Sequence, residues 1–234
     1  FNNFSLRNIF NKKAWSPLPT GDGQQLTIRV ESNGKRYQNF NFSFTEPWLG
    51  GKKPNAFTIA TFHSRIQDIS GTSVLGQQTT TGSSMSLGTR LKKPDDFFIV
   101  QASANYYGYN LDHFRNRYFV GNTPLDSGKF NNLNFKISLS RNSINQPIFP
   151  TGGAKIEASV QFTPPYSLFR KDNNYDGKTI AEKYKLIEYH KWKVNIDWYQ
   201  SLGKSKLVLH AAAKFGFLGN YNKKLGITPF ERFQ

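Results

Sequence analysis

The sequence predicts an all-β chain and, within that class, a transmembrane antiparallel β-barrel of which about ten strands are present. Three observations lead there. Apolar and polar residues alternate with a period of two along most of the chain, and no helix separates the alternating stretches. Several stretches hold about nine or more positions, the length a tilted strand needs to cross a bilayer. From Phe57 onward the connections run long, short, long, short, long, short, as in barrels with loops on one side of the membrane and turns on the other. A soluble sandwich shares the period of two, but has shorter strands and no reason to alternate its loop lengths.

Taken in order, Phe1–Phe10 reads as the end of a strand, and 11–24 as a turn rich in Pro and Gly with Trp15 at its boundary. Leu26, Ile28 and Val30 alternate with polar neighbours up to Ser32-Asn33-Gly34-Lys35, where Asn-Gly favours a type I′ hairpin. Phe40, Phe42 and Phe44 then share one face and Asn39, Asn41, Ser43 and Thr45 the other, until Glu46-Pro47-Trp48-Leu49-Gly50-Gly51 ends the pattern. Pro47 has no N–H for a ladder, and Gly50-Gly51 permit a tight reversal. A strand over 57–66 follows, then a long polar loop over 67–84. Met85, Leu87, Thr89 and Leu91 mark the next strand, and Phe98, Val100, Ala102, Ala104 and Tyr106 the one after it. A long loop covers 110–130. Leu133, Phe135, Ile137 and Leu139 lead to the turn Phe149-Pro150-Thr151-Gly152-Gly153. Ala154, Ile156, Ala158, Val160 and Phe162 give the cleanest alternation. A polar loop over 164–185 precedes His190, Trp192, Val194, Ile196 and Trp198. A short turn and Leu207, Leu209, Ala211, Ala213, Phe215 and Phe217 complete the set, and Tyr221 opens another loop. On the barrel reading Ile156, Val160, Trp192, Ile196, Leu209 and Phe215 meet lipid, while Lys155, Glu157, Lys193, Asp197 and Lys214 line a wet lumen.

Composition narrows the function. The chain carries 31 Lys and Arg against 15 Asp and Glu, a net charge of +16, which would suit a nucleic-acid binder. The basic residues are spread along the strands instead of forming one stripe, so nucleic acid is not an expected partner. Cysteine is absent, which excludes disulfides, thiolate metal sites and a cysteine nucleophile. Asp172-x-Asn174-x-Asp176-Gly177 matches the first half of a calcium loop, but the position for the bidentate Glu holds Lys183, with Glu182 one place short. His63, His113, His190 and His210 lack metal-binding spacing, and His113 beside Asp112 is the one histidine–carboxylate neighbour in a long loop. We therefore expect no cofactor, no metal and no catalytic residue.

The two turns carry more. Glu46-Pro47-Trp48-Leu49-Gly50-Gly51, after a strand and before Lys52-Lys53-Pro54, resembles the EPW turn of the BamA family of outer-membrane assembly factors. Phe149-Pro150-Thr151-Gly152-Gly153, which opens the next strand, is similar to that family's FPT-x-G turn. Their spacing and the opening of the chain look like versions found in Bacteroidota-type bacteria. The resemblance spans nearly the whole chain.

It implies that residues 1–234 are part of one outer-membrane barrel domain of sixteen strands, covering roughly its second to eleventh. Periplasmic repeats and the closing strands would lie outside this chain, and the 234 residues alone are not expected to close into a stable barrel. Both turns would be periplasmic and structural. Trp48 is expected at the membrane interface, and Glu46 is expected to bond N–H groups near Gly50, or Lys52 or Lys53. The implied activity is folding and insertion of other barrels into the outer membrane, without a chemical active site. Its expected partners are unfolded outer-membrane proteins, accessory lipoproteins and outer-membrane lipids. A barrel exporting polypeptides and an outer-membrane barrel enzyme are the alternatives.

Overall fold

The computed structural model describes every residue except 52, 115–117, 122, 170–174, 176, 204–206 and 234. Among the described residues the chain is a meander. Its strands are β1 (Gln25–Asn33), β2 (Tyr37–Glu46), β3 (Asn55–Ser70), β4 (Ser73–Arg90) and β5 (Phe98–Asp112). A small hairpin of β6 (Phe119–Val120) and β7 (Thr123–Pro124) comes next. Then follow β8 (Gly128–Asn142), β9 (Gly152–Phe162), the single-turn helices α1 (Tyr166–Phe169) and α2 (Ile180–Lys183), β10 (His190–Ser201) and β11 (Val208–Gly219). One antiparallel sheet of nine strands holds them in the order β1-β2-β3-β4-β5-β8-β9-β10-β11.

The registers confirm the faces read from the alternation. Trp192 pairs with Val160 and Phe217, Ile196 with Ile156 and Ala213, and Phe42 with Ile28 and Thr61. Phe215 is 66% exposed, and Ile156, Ile196, Leu209 and Trp192 are exposed with it, although an aqueous protein would bury such side chains. This contiguous apolar face is the lipid-facing surface of a barrel wall. The opposite, concave face carries Lys155, Glu157, Lys193, Asn195 and Asp197, with Lys155 Nζ 2.8 Å from Glu157 Oε1.

Three segments differ from the sequence reading. Residues 67–84 are not a loop. β3 and β4 run 16 and 18 residues and meet at the two-residue turn Gly71-Thr72, with Gly71 at φ +61°. Sixteen residues extend roughly 50 Å, well beyond a bilayer crossing, so the upper hairpin stands clear of lipid. Over Gln77–Ser84 both faces are polar, and the apolar residues of the hairpin are confined to Ile66, Ile69, Val74 and Leu75, so no alternation marks the strand. At the start of the chain, Phe1 exchanges two backbone hydrogen bonds with Leu26 and Phe4 two with Gln24. That is a tenth, short pairing, interrupted by a bulge at Asn2-Asn3, since two residues there oppose Gln25 alone. Beyond Phe4 the segment is turn and 3-10 helix, not strand. The third case is the Asn-Gly turn: Asn33 pairs with Tyr37, so the loop is Gly34–Arg36, three residues, with Gly34 at φ +58°.

The buried core lies at one end of the concave face. Leu111, Phe114, Leu125, Phe130, Tyr184, Ile187 and Tyr189 form it, drawn from β5, β8 and the connections 113–127 and 163–189. The other end of the sheet carries the connections 47–54, 91–97, 143–151 and 202–207, all shorter than 113–127 and 163–189, although the hairpin loops 34–36 and 71–72 at the core end are shorter still. We call these the loop end and the turn end.

Candidate functional site

Both family-type turns lie at the turn end, but β4 and β5 separate them in the sheet, so they do not form one site. The first is anchored by Glu46, the last residue of β2. Its Oε1 accepts the Trp48 N–H at 3.1 Å and its Oε2 accepts Gln24 Nε2 at 2.7 Å. Its backbone donor is thus in the turn, two residues before Gly50, but Lys53 makes no bond to it, Lys52 lies outside the described residues, and the second donor, Gln24, was not expected. The correction has a simple cause. Pro47 offers no N–H, so Trp48 provides the first donor past the strand, and the preceding segment folds back to place Gln24 on the second oxygen. Gln24 Oε1 in turn accepts the Leu6 N–H at 2.8 Å, which ties residues 1–24 to the turn. Gly50 and Gly51 sit at φ +82° and +70°, a conformation that suits glycine. Leu49 is exposed, and Trp48, 55% exposed, stands at the lip of the concave face.

The second turn is a scaffold built on Asn145. Its Oδ1 accepts the N–H groups of Thr151 and Gly152, both at 3.2 Å, and its Nδ2 donates to Thr151 Oγ1 at 2.7 Å. Gly153 must be glycine: φ is +103°, and a Cβ there would meet Ser143 O at 2.2 Å. Pro150 follows Phe149, which is 85% exposed and held at φ +57°, rare for a bulky side chain.

The most concentrated polar chemistry sits elsewhere, on the concave face at the loop end, and the sequence reading missed it. Residues 220–233 fold back over β5, β8 and β10. Phe230 packs against Tyr109, Tyr118 and Phe130 with ring centroids 4.6–5.0 Å apart. Glu231 Oε1 accepts Asn132 Nδ2 at 3.0 Å, while Lys191 Nζ reaches Glu231 Oε2 at 3.3 Å and its backbone oxygen at 2.8 Å. The Lys191 and Glu231 side chains are 8% and 16% exposed, so this ion pair is little screened. Asn105, Asn134 and Asn132 continue it as a chain of amide bonds, and Gln161 and Asn132 both donate to the Tyr189 hydroxyl. Phe233 lies under Lys191 and Lys193 and fills the space a side chain at Gly216 would take, since a Cβ there would come within 2.8 Å of its ring. Nothing in the local sequence pairs Glu231 with Asn132, which is 99 positions away.

The remaining candidates resolve into local roles. Asp172, Asn174 and Asp176 of the calcium-type loop lie outside the described residues. Glu182 completes a capping box with Thr179 at the start of α2, and the Thr179 N–H and hydroxyl hold its carboxyl below the usual range. Burial pushes the Tyr184 phenol up, and its hydroxyl bonds Leu225 O. His113 Nδ1 lies 2.8 Å from Asp112, His210 Nε2 lies 3.1 Å from Asp197 and stacks on Tyr199, His63 meets Thr81, and Trp192 donates to His190.

The sequence matches the Omp85 superfamily domain over residues 20–234. The chain belongs to the Omp85 superfamily. A solved structure of similar fold is that of BamA from Haemophilus ducreyi lacking POTRA domains 1-3. The TM-score is 0.60 at 17% identity, with 90% of this chain and 38% of that one covered. This Omp85 chain thus spans less than two fifths of that relative. It is an outer-membrane β-barrel protein of a superfamily concerned with protein insertion and transport. With that placement, the end that carries the two longest connections, 113–127 and 163–189, is extracellular and the turn end periplasmic.

Proposed function

We propose that this chain is the barrel wall of the central subunit of an outer-membrane protein assembly machinery, of the Bacteroidota type, which folds β-barrel proteins and inserts them into the membrane. The observation that carries the reading is the pair of turns, Glu46–Gly51 and Phe149–Gly153, both at the periplasmic end of an Omp85 wall. The work requires no covalent step, catalytic residue or cofactor. In hydrocarbon an unpaired backbone N–H or C=O has no water to bond, so an incoming strand needs a partner edge before it can enter. A barrel edge supplies that partner by strand addition. Accessory lipoproteins and unfolded outer-membrane proteins are the partners on this reading. The packing of Tyr189, Ile187 and Phe230 on the concave face at the extracellular end supports assembly at the wall over export along the lumen.

Depletion of the protein in its parent bacterium, followed by quantitative proteomics of the outer membrane, tests this. The expected result is a joint fall of barrel proteins unrelated in sequence. Loss of one exported polypeptide with the barrels unchanged would establish the transporter instead.

A further inference from the structure

The concave wall at the periplasmic end contains a recess that neither turn explains. Pro47, Trp48, Ala56, Ser86, Gly88 and Arg90 border a concavity of about 640 Å³. Its floor is built from small residues: Ala56 pairs with Gly88, and Thr58 with Ser86. A Cβ added at Gly88 would meet nothing nearer than Ala56 O at 3.9 Å. Arg90 is exposed, and among the described residues its side chain has neither a hydrogen-bond nor an ion-pair partner. Its guanidinium is permanently charged and offers a planar fork of donors matched to a carboxylate. Trp48 at the lip offers an apolar ring with a polar edge.

The recess continues along the wall. Gln101 borders it and also borders the two adjoining concavities, into which Lys136 projects, and Lys193 lines the farther of these. Among the described residues the Lys136 side chain also lacks a partner, and the Lys193 side chain meets only the Phe233 ring. The carboxylate on this stretch, Glu157, is engaged by Lys155. The track is therefore cationic. Ser86, Ser103 and Ser138 lie between its cations and offer hydroxyls to a peptide main chain.

We propose that this track binds an extended acidic segment of an unfolded outer-membrane protein, with carboxylates on Arg90 and Lys136 and an apolar side chain beside Trp48. The substrate assignment rests on the assembly reading above. Charge complementarity selects the occupant, because three cations face one carboxylate already held by a lysine.

The test uses the full-length protein in vesicles and a fluorescent peptide in which Glu and Phe alternate, compared with the same peptide carrying Gln for Glu. Arg90→Gln removes the charge, and Gly88→Val fills the recess without touching it. Each is expected to weaken the acidic peptide at least about tenfold, with Lys136→Gln weaker in effect. Heat-modifiable mobility should be retained in all three, and the Gln peptide should bind the unsubstituted protein no better than the acidic peptide binds the variants. Equal affinity for both peptides, or an Arg90→Gln protein that folds and binds normally, overturns the site. A photo-crosslinker at Gln101 in cells then identifies the source. A product with a radiolabelled, newly made barrel protein, lost in Gly88→Val, is expected. A product with an accessory subunit or another part of the same chain overturns the substrate assignment. If depletion spares the barrels while Arg90 still governs peptide binding, the assembly reading fails and the acidic-peptide site stands. The reverse pattern removes the site alone.

Discussion

The outward faces of β9–β11 and of β3 and β4 follow one register but are made of different side chains. On β9 five outward positions in succession, Ala154 to Phe162, are apolar, and Trp192 and Trp198 bracket the same span on β10. On β3 only Phe57 and Ile59 are apolar before Thr61 and His63; on β4 only Met85 and Leu87 lie below Ser83 and Thr81. The hydroxyls are not left to lipid alone. Thr61 donates to Gly82 O, Ser83 to Thr61, Thr81 meets His63, and Tyr106 donates to Asn131. The comparison teaches that the apolar height of the wall differs around the sheet. A bilayer meets a shorter apolar stretch at modest cost, and paired hydroxyls keep that cost low.

Four tests by substitution in the full-length protein probe this difference, from the largest effect down. Val160→Arg places a cation within the tall apolar stretch and should cost about 2–4 kcal/mol, whereas Thr61→Arg, at the upper border of the short one, should cost about 0–1. Equal losses in urea unfolding from vesicles would erase the distinction. Trp198→Ala removes the ring at the periplasmic boundary of β10 and should cost roughly 1 kcal/mol, seen as an earlier unfolding midpoint. Glu46→Gln, at the foot of β2 beside the short stretch, weakens the bonds to Trp48 N–H and Gln24. It should lower stability by less than about 1 kcal/mol and leave assembly activity mostly intact. Abolished assembly at an unchanged melting temperature would give Glu46 a direct role. Thr61→Val with Ser83→Val should change stability by only about 0.5 kcal/mol, because lost hydroxyl bonds are offset by apolar contact with lipid.

The same contrast decides how much was legible in the sequence. Where lipid lies on one side and water on the other, as along Ala154–Phe162 or His190–Trp198, each residue reports its face and the strand can be read directly. Above the membrane that signal vanishes. Gln77–Ser84 is strand, but both its faces are polar, and only β-branched Thr79, Thr80 and Thr81 hint at it. The EPW and FPT turns were visible through Pro and Gly chemistry, whereas the Asn145 scaffold was not, because its bonds depend on how the loop closes. The Glu231–Lys191–Asn132 cluster is set by tertiary folding alone. So is the cationic track, whose residues come from four strands.

The strand order has a kinetic consequence. Every ladder among the described residues joins strands adjacent in sequence except β5–β8, between which the small β6–β7 hairpin is inserted. Such a wall can grow strand by strand, no step closing a loop longer than the connection 163–189. The bonds from Glu231 to Asn132 and from Arg232 to Phe119 O span 99 and 113 positions and must close far larger loops. Pulse-labelled hydrogen exchange during refolding should accordingly show the β8–β10 amides protected before Lys191 and Asn132 capture residues 230–233. The wall forms first, and its filling arrives as a late, separable event.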